Sequence, residues 1–567
     1  MECFIVKENK FVKFLKEDGL YLIILAFMLV CFLAPYFGHA LPKAEENDFH
    51  YARIASLVES LKLGEFPPKL RPMLMQGFGY GVGFFYPDFF FYFAVLLIYM
   101  GVETMLAIKI FISLVAVIGA FVTYKSFEGF VKSKKIAALA TILYFGTLCM
   151  WDNLFYGAGL GAFIAQVVLP MAFCGLLRAF NDEKAGYISY GLGIVIVVLS
   201  HHLTFISMMV AMVLIVLLNI KKIIDNPKVL GKLFCVSMVG LLFTTQYWLP
   251  AIELAAHTKF KVIYDNYIDI NDHILNFADV IRVISMPFFV LFLVALVVFV
   301  GLMIKNKKVY FDELMVMIAV IFHMGLMRSE PFWRGPVGQF FSFFQSTSRL
   351  IYVLMALLIM FVAMVAKLVD KEMQAAGKKM DLRPFAMFVV GLLVVLATRT
   401  YLKADFFNPN AYDRQDISPD LITYDNGISC GEWLPVENEP SECHGVENAK
   451  ADDQTSADGF KHDNFKYFEV WLNLDKKYYD MPFIYYYGYR AYILDDNGNP
   501  VSELSVGEAY DDNGYVRVFM PENGQGVAHV LVKYEKTKIQ KIAYLVTILT
   551  TVAFIGYLIW RRKRAKA

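Results

Sequence analysis

Charge is scarce in this sequence. Asp, Glu, Lys and Arg make up 19% of its 567 residues, whereas 58% of the residues are hydrophobic. Soluble globular domains carry about 25% charged residues on average. Basic and acidic residues number 53 and 52, so no net field exists to attract nucleic acid. These shortages exclude a nucleic-acid-binding protein and indicate a protein of the membrane.

Common catalytic motifs and cysteine pairs are also scarce. The chain has no P-loop, no HExxH and no CxxC motif. Cys430 and Cys443 flank a polar stretch, unlike the cysteines in apolar runs. A disulfide between them is one interpretation, provided that the compartment is oxidising. A zinc site that adds His444 lacks a fourth ligand.

Long apolar runs dominate the chain. A spanning helix needs about 20 apolar residues, and twelve runs approach that length. They cover roughly 20–37, 104–124, 136–151, 158–178, 187–202, 203–220, 231–250, 284–305, 310–327, 346–370, 383–400 and 542–560. Lysine and arginine cluster in alternate connections and in the tail at Arg561 to Arg564. The positive-inside rule therefore predicts a polytopic α-helical protein of the plasma membrane with both termini in the cytoplasm.

One more apolar segment, Pro87 to Gly101, is about 15 residues long and too short to span. Counting it as a span would move every later basic loop to the outside. We therefore expect a helix that lies in the external interface or among other helices.

The predicted domains follow from this topology. A multi-span membrane domain covers 1–400, with an external first loop at 38–103, and a last span with a basic tail covers 542–567. The polar segment 401–541 is predicted to be extracytoplasmic. From Phe465 onward it alternates aromatic and β-branched residues, with hairpin turn signals at 495–500 and 511–514. This pattern predicts a small antiparallel, sandwich-like β domain.

Two groups of side chains in the external parts stand out. The tyrosines of 485–489 could stack on sugars, although core packing accounts for such a run more simply. In the first loop, Asp48, His50 and Arg53 open a helical pattern. Asp48 there is either the N-cap of an interfacial helix or a functional carboxylate.

Several motifs in order carry a family resemblance. They are Asp48-x-His50-x-x-Arg53, Gly64-x-Phe66-Pro67, Gly77-Phe78-Gly79-Tyr80-Gly81, Phe84-Phe85-Tyr86-Pro87, Leu199-Ser200-His201-His202, Tyr247-Trp248-Leu249-Pro250-Ala251, Gln345-Ser346-Thr347-Ser348-Arg349 and Gly431-Glu432-Trp433-Leu434-Pro435. Together they resemble the GT-C superfamily of membrane glycosyltransferases. The similarity is to the bacterial YfhO-type group, also labelled pyruvoyl-tetrahydropterin-synthase-related membrane proteins, and covers nearly the whole chain.

The resemblance implies a fold and a reaction. The fold is GT-C-like, and the reaction is inverting transfer of a sugar from a polyprenyl-phosphate-linked donor to a cell-envelope glycan or lipid acceptor. Asp48 matches the family's position for the base. Asp152 could orient the acceptor or, with Asp48, bind a divalent cation. The residues expected to bind substrate or phosphate are His50, Arg53, His201, His202, Gln345 and Arg349. Interface anchoring of Arg349 and helix packing of the histidines stay open as alternatives.

The sequence departs from the family at Gly157 to Ala162, where YfhO-type proteins tend to carry an Arg-Gly-x-x-Gly-Glu-like run. Either another group such as Gln166 replaces the missing Arg and Glu, or the acceptor differs, or activity is reduced. A non-catalytic glycan-binding or scaffold protein and a transporter of lipid-linked saccharides are the alternatives. A transporter predicts charges deep inside spans, for which Lys109 and Glu313 are the candidates.

Overall fold

The computed structural model describes residues 19–37, 45–157, 159–264, 269–403, 431–438, 448–457, 459–461, 467–510 and 512–564. Cys430, Cys443 and His444 lie outside these ranges. The disulfide between the two cysteines therefore stays a prediction.

Helices make up most of the chain before residue 404. The first twelve are α1 (Leu20–Leu33), α2 (Asn47–Lys62), α3 (Val82–Phe85), α4 (Tyr92–Tyr99), α5 (Thr104–Val131), α6 (Lys134–Phe145), α7 (Leu148–Phe155), α8 (Leu160–Gln166), α9 (Leu169–Ala179), α10 (Lys184–Val198), α11 (His202–Leu218) and α12 (Ile220–Asp225). The others are α13 (Lys228–Phe243), α14 (Thr245–His257), α15 (Lys261–Tyr264), α16 (Phe277–Ile284), α17 (Met286–Asn306), α18 (Phe311–Met327), α19 (Glu330–Trp333), α20 (Pro336–Phe340), α21 (Ile351–Ala375), α22 (Arg383–Lys403) and α23 (Lys538–Arg564).

Several of these helices suit a membrane. Within the described ranges, six helices are long and apolar enough to cross a bilayer, or eight if each of two bent helix pairs is one span. The predicted runs at 187–202 and 203–220 form α10 and α11, with 15 and 17 residues, which is below the about 20 that a span needs. A membrane protein with several apolar helices is therefore confirmed, whereas the count of twelve spans stays a prediction. Phe89–Tyr99 is a short apolar helix, as expected for 87–101, whereas its place in the external interface or among other helices stays a prediction.

The chain folds as two compact units. The first takes in Met1–Glu45, Ile108–Gly240 and Ile270–Gln415, and its described part is helical. Helix α21 is buried on nearly every face from Ile351 to Leu368 and packs against α6, α9, α17 and α18. This burial follows from its sequence, because a helix that is apolar all round has no face suited to water.

The second unit takes in Glu46–Ala107, Leu241–Asp269 and Asp416–Ala567. It contains α2 to α4, α14, α15, α23 and the β domain. The strands are β1 (Ala449–Ala451), β2 (Ser456–Ala457), β3 (Gly459–Lys461), β4 (Tyr467–Asn473), β5 (Tyr478–Ile484), β6 (Tyr489–Leu494), β7 (Pro500–Glu508), β8 (Tyr515–Phe519) and β9 (Val527–Tyr534).

The strands form one nine-stranded antiparallel sheet in the order β2-β1-β5-β8-β7-β6-β9-β4-β3, close to a barrel in form. An antiparallel β domain is therefore confirmed. The expected sandwich of two sheets is corrected, because β7 pairs with both β6 and β8 and joins the two halves. The β6–β7 turn is the predicted hairpin, in which the Asp495 carboxylate accepts from the backbone N–H groups of Asn497 and Asn499.

Close helix packing in the first unit yields a test. A Cβ atom at Gly175 of α9 would lie 2.5 Å from the backbone nitrogen of Tyr190 in α10, so we expect Gly175→Ala to lower the free energy of unfolding by about 1–3 kcal/mol. Gly231→Ala in α13 is the control, because a Cβ there meets no atom within 4 Å. Thermal unfolding of the detergent-purified protein measures both, and equal stability of the two variants would contradict the packing.

Candidate functional site

Helix α2 carries the predicted first-loop residues in the second unit. The helix begins at Asn47, so Asp48 lies within its first turn and not at the N-cap, which is Glu46. The capping interpretation of Asp48 is therefore wrong in position, although a carboxylate in the first turn still suits the helix dipole. The Asp48 side chain is partly exposed, which leaves it accessible to a substrate.

His50, two residues after Asp48, is buried between charged groups. Its Nδ1 lies 3.2 Å from an Arg53 nitrogen, and its Nε2 lies 3.3 Å from the Glu46 carboxylate. Burial lowers the pKa of His50, and the nearby Arg53 charge acts in the same direction, while Glu46 opposes them. The imidazole is therefore favoured in its neutral form.

Asp88 binds two buried arginines. Its Oδ1 accepts from Arg53 at 2.8 Å, and its Oδ2 accepts from Arg71. Burial alone would raise the pKa of Asp88, but the charges of Arg71 and Arg53 outweigh it and hold that pKa below its usual range. Arg53 also donates to the Pro87 carbonyl at 2.9 Å and lies over the Phe91 ring, 4.6 Å from its centroid. The predicted phosphate ligand Arg53 thus has internal partners on three sides.

The Phe84–Pro87 and Gly431–Pro435 motifs meet in the second unit. Phe85 and Trp433 stack with ring centroids 3.8 Å apart and an angle of 5° between their planes. The Tyr86 hydroxyl donates to the Glu432 carboxylate at 2.7 Å. Burial raises the pKa of Tyr86, and the Glu432 charge raises it further. Motifs almost 350 residues apart in sequence thus build one polar and aromatic cluster.

The glycine-rich motif at 77–81 packs against the same cluster. Gly79 has a φ of +86°, a conformation that favours glycine. A Cβ at Gly81 would lie 2.5 Å from the Tyr486 ring. The Tyr486 hydroxyl in turn donates to the Trp433 carbonyl at 3.0 Å. The motif is therefore explained by close approach of backbone to an aromatic ring.

The first unit holds the other predicted residues. Asp152 is exposed on α7, and its neighbour Asn153 is buried and accepts from the Tyr352 hydroxyl at 3.1 Å. His201 is the N-cap of α11, where its Nδ1 accepts from the Thr204 backbone at 3.2 Å. This contact accords with the packing alternative for that histidine. Tyr352 lies three residues after Arg349 in the sequence. Its hydrogen bond to Asn153 therefore joins the helix that carries Asp152 to the segment that follows the Gln345–Arg349 motif.

Arg349 has an unusual environment at the start of α21. Its side chain is half-buried, yet the guanidinium makes no hydrogen bond or ion pair with any residue that the structure describes. His202 lies within its electrostatic range. Gln345, four residues earlier, is buried with a φ of +61°, so the chain turns sharply before the helix. A half-buried cation of this kind is suited to an anionic ligand.

The β domain shows how the tyrosine run packs. Tyr485, Tyr486 and Tyr489 are buried, as the core-packing interpretation expects, and Tyr487 stacks on His257 at 3.8 Å between ring centroids. A cavity of about 450 Å³ opens beside them, lined by Tyr485, Tyr487, Gly488, Tyr489, Arg490, Glu503, Leu504, Ser505 and Val506. Its lining is rich in hydroxyl and charged groups.

A metal site is not evident among the described residues. No group of three or more His, Cys, Asp or Glu side chains there is arranged to hold a metal ion. The divalent cation at Asp48 and Asp152 therefore stays a prediction.

Sequence reasoning overlooked four polar residues of the second unit: Lys69, Arg71, Asp88 and Glu432. Glu432 stands out in the sequence only as part of a motif. The other three have a signal of their own, since they are the charged residues between Glu65 and Glu103. Isolated charges in an apolar stretch have to find partners when the stretch is buried.

These features define a helical membrane protein with an antiparallel β domain. The family model of the 6-pyruvoyl-tetrahydropterin synthase related domain, described as a membrane protein, matches residues 84–406, more than half of the chain. The chain belongs to this family. An uncharacterized protein of Lactococcus lactis subsp. cremoris (strain MG1363) is 28% identical over 258 residues, which are 44% of this chain and 40% of that protein. The match thus spans less than half of that relative's length.

The Asp88 pairing yields a prediction. We expect Asp88→Asn to lower the free energy of unfolding by about 3–5 kcal/mol, because it leaves the buried charges of Arg53 and Arg71 uncompensated. Glu503→Gln, which breaks an exposed pair with Arg490 in the same unit, is expected to cost less than about 1 kcal/mol. Thermal or denaturant unfolding compares the two, and a similar loss in both would show that Asp88 is not the buried counter-charge.

Proposed function

We propose that the protein is a GT-C-type membrane glycosyltransferase. It transfers a sugar from a polyprenyl-phosphate-linked donor to a glycan or lipid acceptor of the cell envelope, with inversion at the anomeric carbon. The family membership supports a membrane protein, and the ordered motifs support the GT-C assignment.

The observation that carries the proposal is the Arg349 guanidinium. A half-buried arginine without an internal partner in the described ranges is costly to keep, because its charge is only partly solvated. A lipid phosphate that leaves the sugar develops negative charge and needs a positive partner at the membrane. Arg349 lies at the start of an apolar helix, α21, where such a phosphate would lie. The histidines at 201 and 202 and Gln345 would add hydrogen bonds.

Asp48 is proposed as the base. Inverting transfer requires a carboxylate that takes the proton of the acceptor hydroxyl as its oxygen attacks the anomeric carbon. The Asp48 carboxylate is partly exposed in the first turn of α2 and can meet an acceptor. His50 and Arg53 support the helix that carries it, and Asp152 is proposed to orient the acceptor.

Gln166 supports the idea that another group replaces the missing Arg and Glu at 157–162. Its side chain is buried, and neither its amide nitrogen nor its amide oxygen has a hydrogen-bond partner in the described part of the chain. A buried amide without a partner is expected to bind a polar ligand group. The neighbouring Gly161 cannot carry a side chain without conflict, because a Cβ there would lie 2.7 Å from the Ser200 carbonyl oxygen.

The proposed topology puts the reaction on the external face of the plasma membrane. Helix α23 ends in Arg561, Arg562, Lys563 and Arg564, a basic cluster that favours the cytoplasm. The β domain precedes this helix and would therefore lie outside the cytoplasm. Both chain termini would be cytoplasmic.

Two alternative functions are a glycan-binding or scaffold role and the transport of lipid-linked saccharides. The polar cavity beside Tyr487 favours a glycan-binding or scaffold role. A transporter is less favoured, because Lys109 and Glu313 lie in the first two turns of α5 and α18 and not at mid-span.

Reconstitution tests the proposal. The purified protein in liposomes with polyprenyl-phosphate sugars should transfer the sugar to envelope acceptors. Asp48→Asn should lower the rate by about 10²–10⁴-fold, because the base is lost. Arg349→Met should lower it by about 10²-fold or more, because one donor to the developing anion is lost.

The matched controls are Asp381→Asn and Arg383→Met, which break an exposed ion pair at the start of α22. Both should keep the wild-type rate. Undiminished transfer by Asp48→Asn would reject that base. No transfer by the wild type, together with glycan binding by the β domain, would instead support the scaffold role.

A further inference from the structure

The charged groups around Asp88 in the second unit include more cations than the carboxylate can pair with. The basic residues near Asp88 and Glu65 are Arg53, Arg71, Lys69 and Lys536. Glu46 and Glu432 act on His50 and Tyr86, on the Arg53 side of the group. The surplus of positive charge therefore lies around Lys69, Arg71 and Lys536, which face Asp88 and Glu65. Excess charge in a partly buried place is unfavourable unless an anion supplies the balance.

Lys69 is the least satisfied of these cations. Its ammonium group makes no hydrogen bond to any residue in the described ranges and lies 5.7 Å from the centroid of the Tyr247 ring. Burial lowers the pKa of Lys69 to about 8. The charge of Asp88 opposes this shift, and the charges of Arg71 and Lys536 add to it. A bound anion would stabilise the charged form of Lys69.

Three neighbouring donors also lack acceptors. The Tyr92 hydroxyl, the Tyr544 hydroxyl and the Nε of Arg71 have no hydrogen-bond partner in the part of the chain that the structure describes. Both hydroxyls are within electrostatic range of Arg71, which is fully buried. Orphaned donors around one buried arginine are expected where an acceptor-rich ligand binds.

Lys536 completes the group from the segment just before the last helix. Its ammonium donates to the Phe66 carbonyl at 3.0 Å and lies 5.3 Å from the centroid of the Tyr544 ring. Two of its three protons remain for other acceptors. Lys69, Arg71, Tyr92, Lys536 and Tyr544 are called the Lys69 cluster below.

Apolar surface adjoins the Lys69 cluster. Leu96 of α4 is exposed, and so is Met100, the first residue after that helix. In α23, Ile542 and Leu545 are exposed on either side of Tyr544 in the sequence. Helix α23 is also long and apolar enough to cross a bilayer. Acyl chains can cover such surface while a headgroup reaches the polar cluster.

We infer that the Lys69 cluster binds the phosphate of an anionic membrane phospholipid. A phosphodiester offers several oxygens to the lysines and tyrosine hydroxyls, and its negative charge offsets part of the surplus. The flanking apolar surface favours a lipid over free phosphate as its source. Such binding requires no glycosyl transfer, so it stands or fails independently of the proposed reaction.

Lipid titration tests the inference. The purified full-length protein is placed in phosphatidylcholine nanodiscs with increasing phosphatidylglycerol, and bound phosphatidylglycerol is measured by native mass spectrometry. Lys69→Met should weaken binding about tenfold, as expected for loss of a charge-assisted hydrogen bond. Lys538→Met, which removes an exposed charge near Lys536, should change affinity by less than about twofold. Equal weakening in both variants would indicate general attraction to an anionic surface and would overturn the site.

A hydroxyl variant guards against misfolding of Lys69→Met. Tyr544→Phe keeps the ring and removes one donor, and we expect about threefold weaker binding. Tyr557→Phe, an exposed tyrosine of the same helix, is the control and should bind like the wild type. Unchanged affinity in Tyr544→Phe would overturn the Lys69 cluster as the lipid site, because this hydroxyl is one of its orphaned donors.

A comparison with free phosphate distinguishes a phospholipid headgroup from a free anion as the ligand. Inorganic phosphate and glycerol phosphate are added to the protein in neutral detergent, and the shift of the unfolding midpoint is compared with that caused by phosphatidylglycerol. The lipid should stabilise the protein at concentrations where the free anions do not. Equal stabilisation by the free anions would overturn the lipid assignment.

The pH dependence gives a further readout. Lys69, with its pKa lowered to about 8, is charged below that pH and loses its proton as pH rises through it. A phosphodiester does not titrate there, so the affinity for phosphatidylglycerol should fall above a pH of about 8 in the wild type. The charged and titratable groups facing Lys69 are Asp88, Arg71, Lys536 and Tyr247. Lys538→Met should keep this fall, and Lys69→Met should weaken it. An equally large fall in affinity above a pH of about 8 in Lys69→Met would contradict the assignment.

Discussion

One carboxylate, that of Asp88, organises the polar interior of the second unit. It binds Arg53 from α2 and Arg71 from the loop before α3, so two segments of the first loop are fixed to a residue just before α4. Burying two guanidinium groups is possible only because this charge lies between them. The positions of Asp48 and His50 depend on it, since both are on the helix that Arg53 holds.

The same arrangement leaves positive charge in excess. Asp88 forms ion pairs with the two arginines, while Lys69 lies close by without an ion pair in the described ranges. In the first unit, Arg349 is likewise without an acceptor among the described residues. Each unit thus keeps a cation whose partial burial costs stability. Such costs are expected at binding sites and are uncommon in residues that serve only packing.

The sequence predicted the features that depend on composition and period. Runs of apolar residues predict helices, and the turn residues at 495–500 predict the β6–β7 hairpin. It could not predict which partner each buried charge selects, because Arg53 and Asp88 are 35 residues apart and only the fold joins them. The expected sandwich failed for a similar reason. Local alternation predicts strands, whereas the double pairing of β7 is a long-range choice.

The order of the strands has a consequence for how the β domain behaves among other molecules. The two outermost strands, β2 and β3, have two and three residues, whereas the inner strands β4 to β9 have five to nine. A long open edge would offer its backbone N–H and C=O groups to strands of other chains. Within the described residues, these short edge strands offer few backbone groups for such pairing. The domain therefore has little tendency to aggregate through its sheet, even where it is crowded among other molecules.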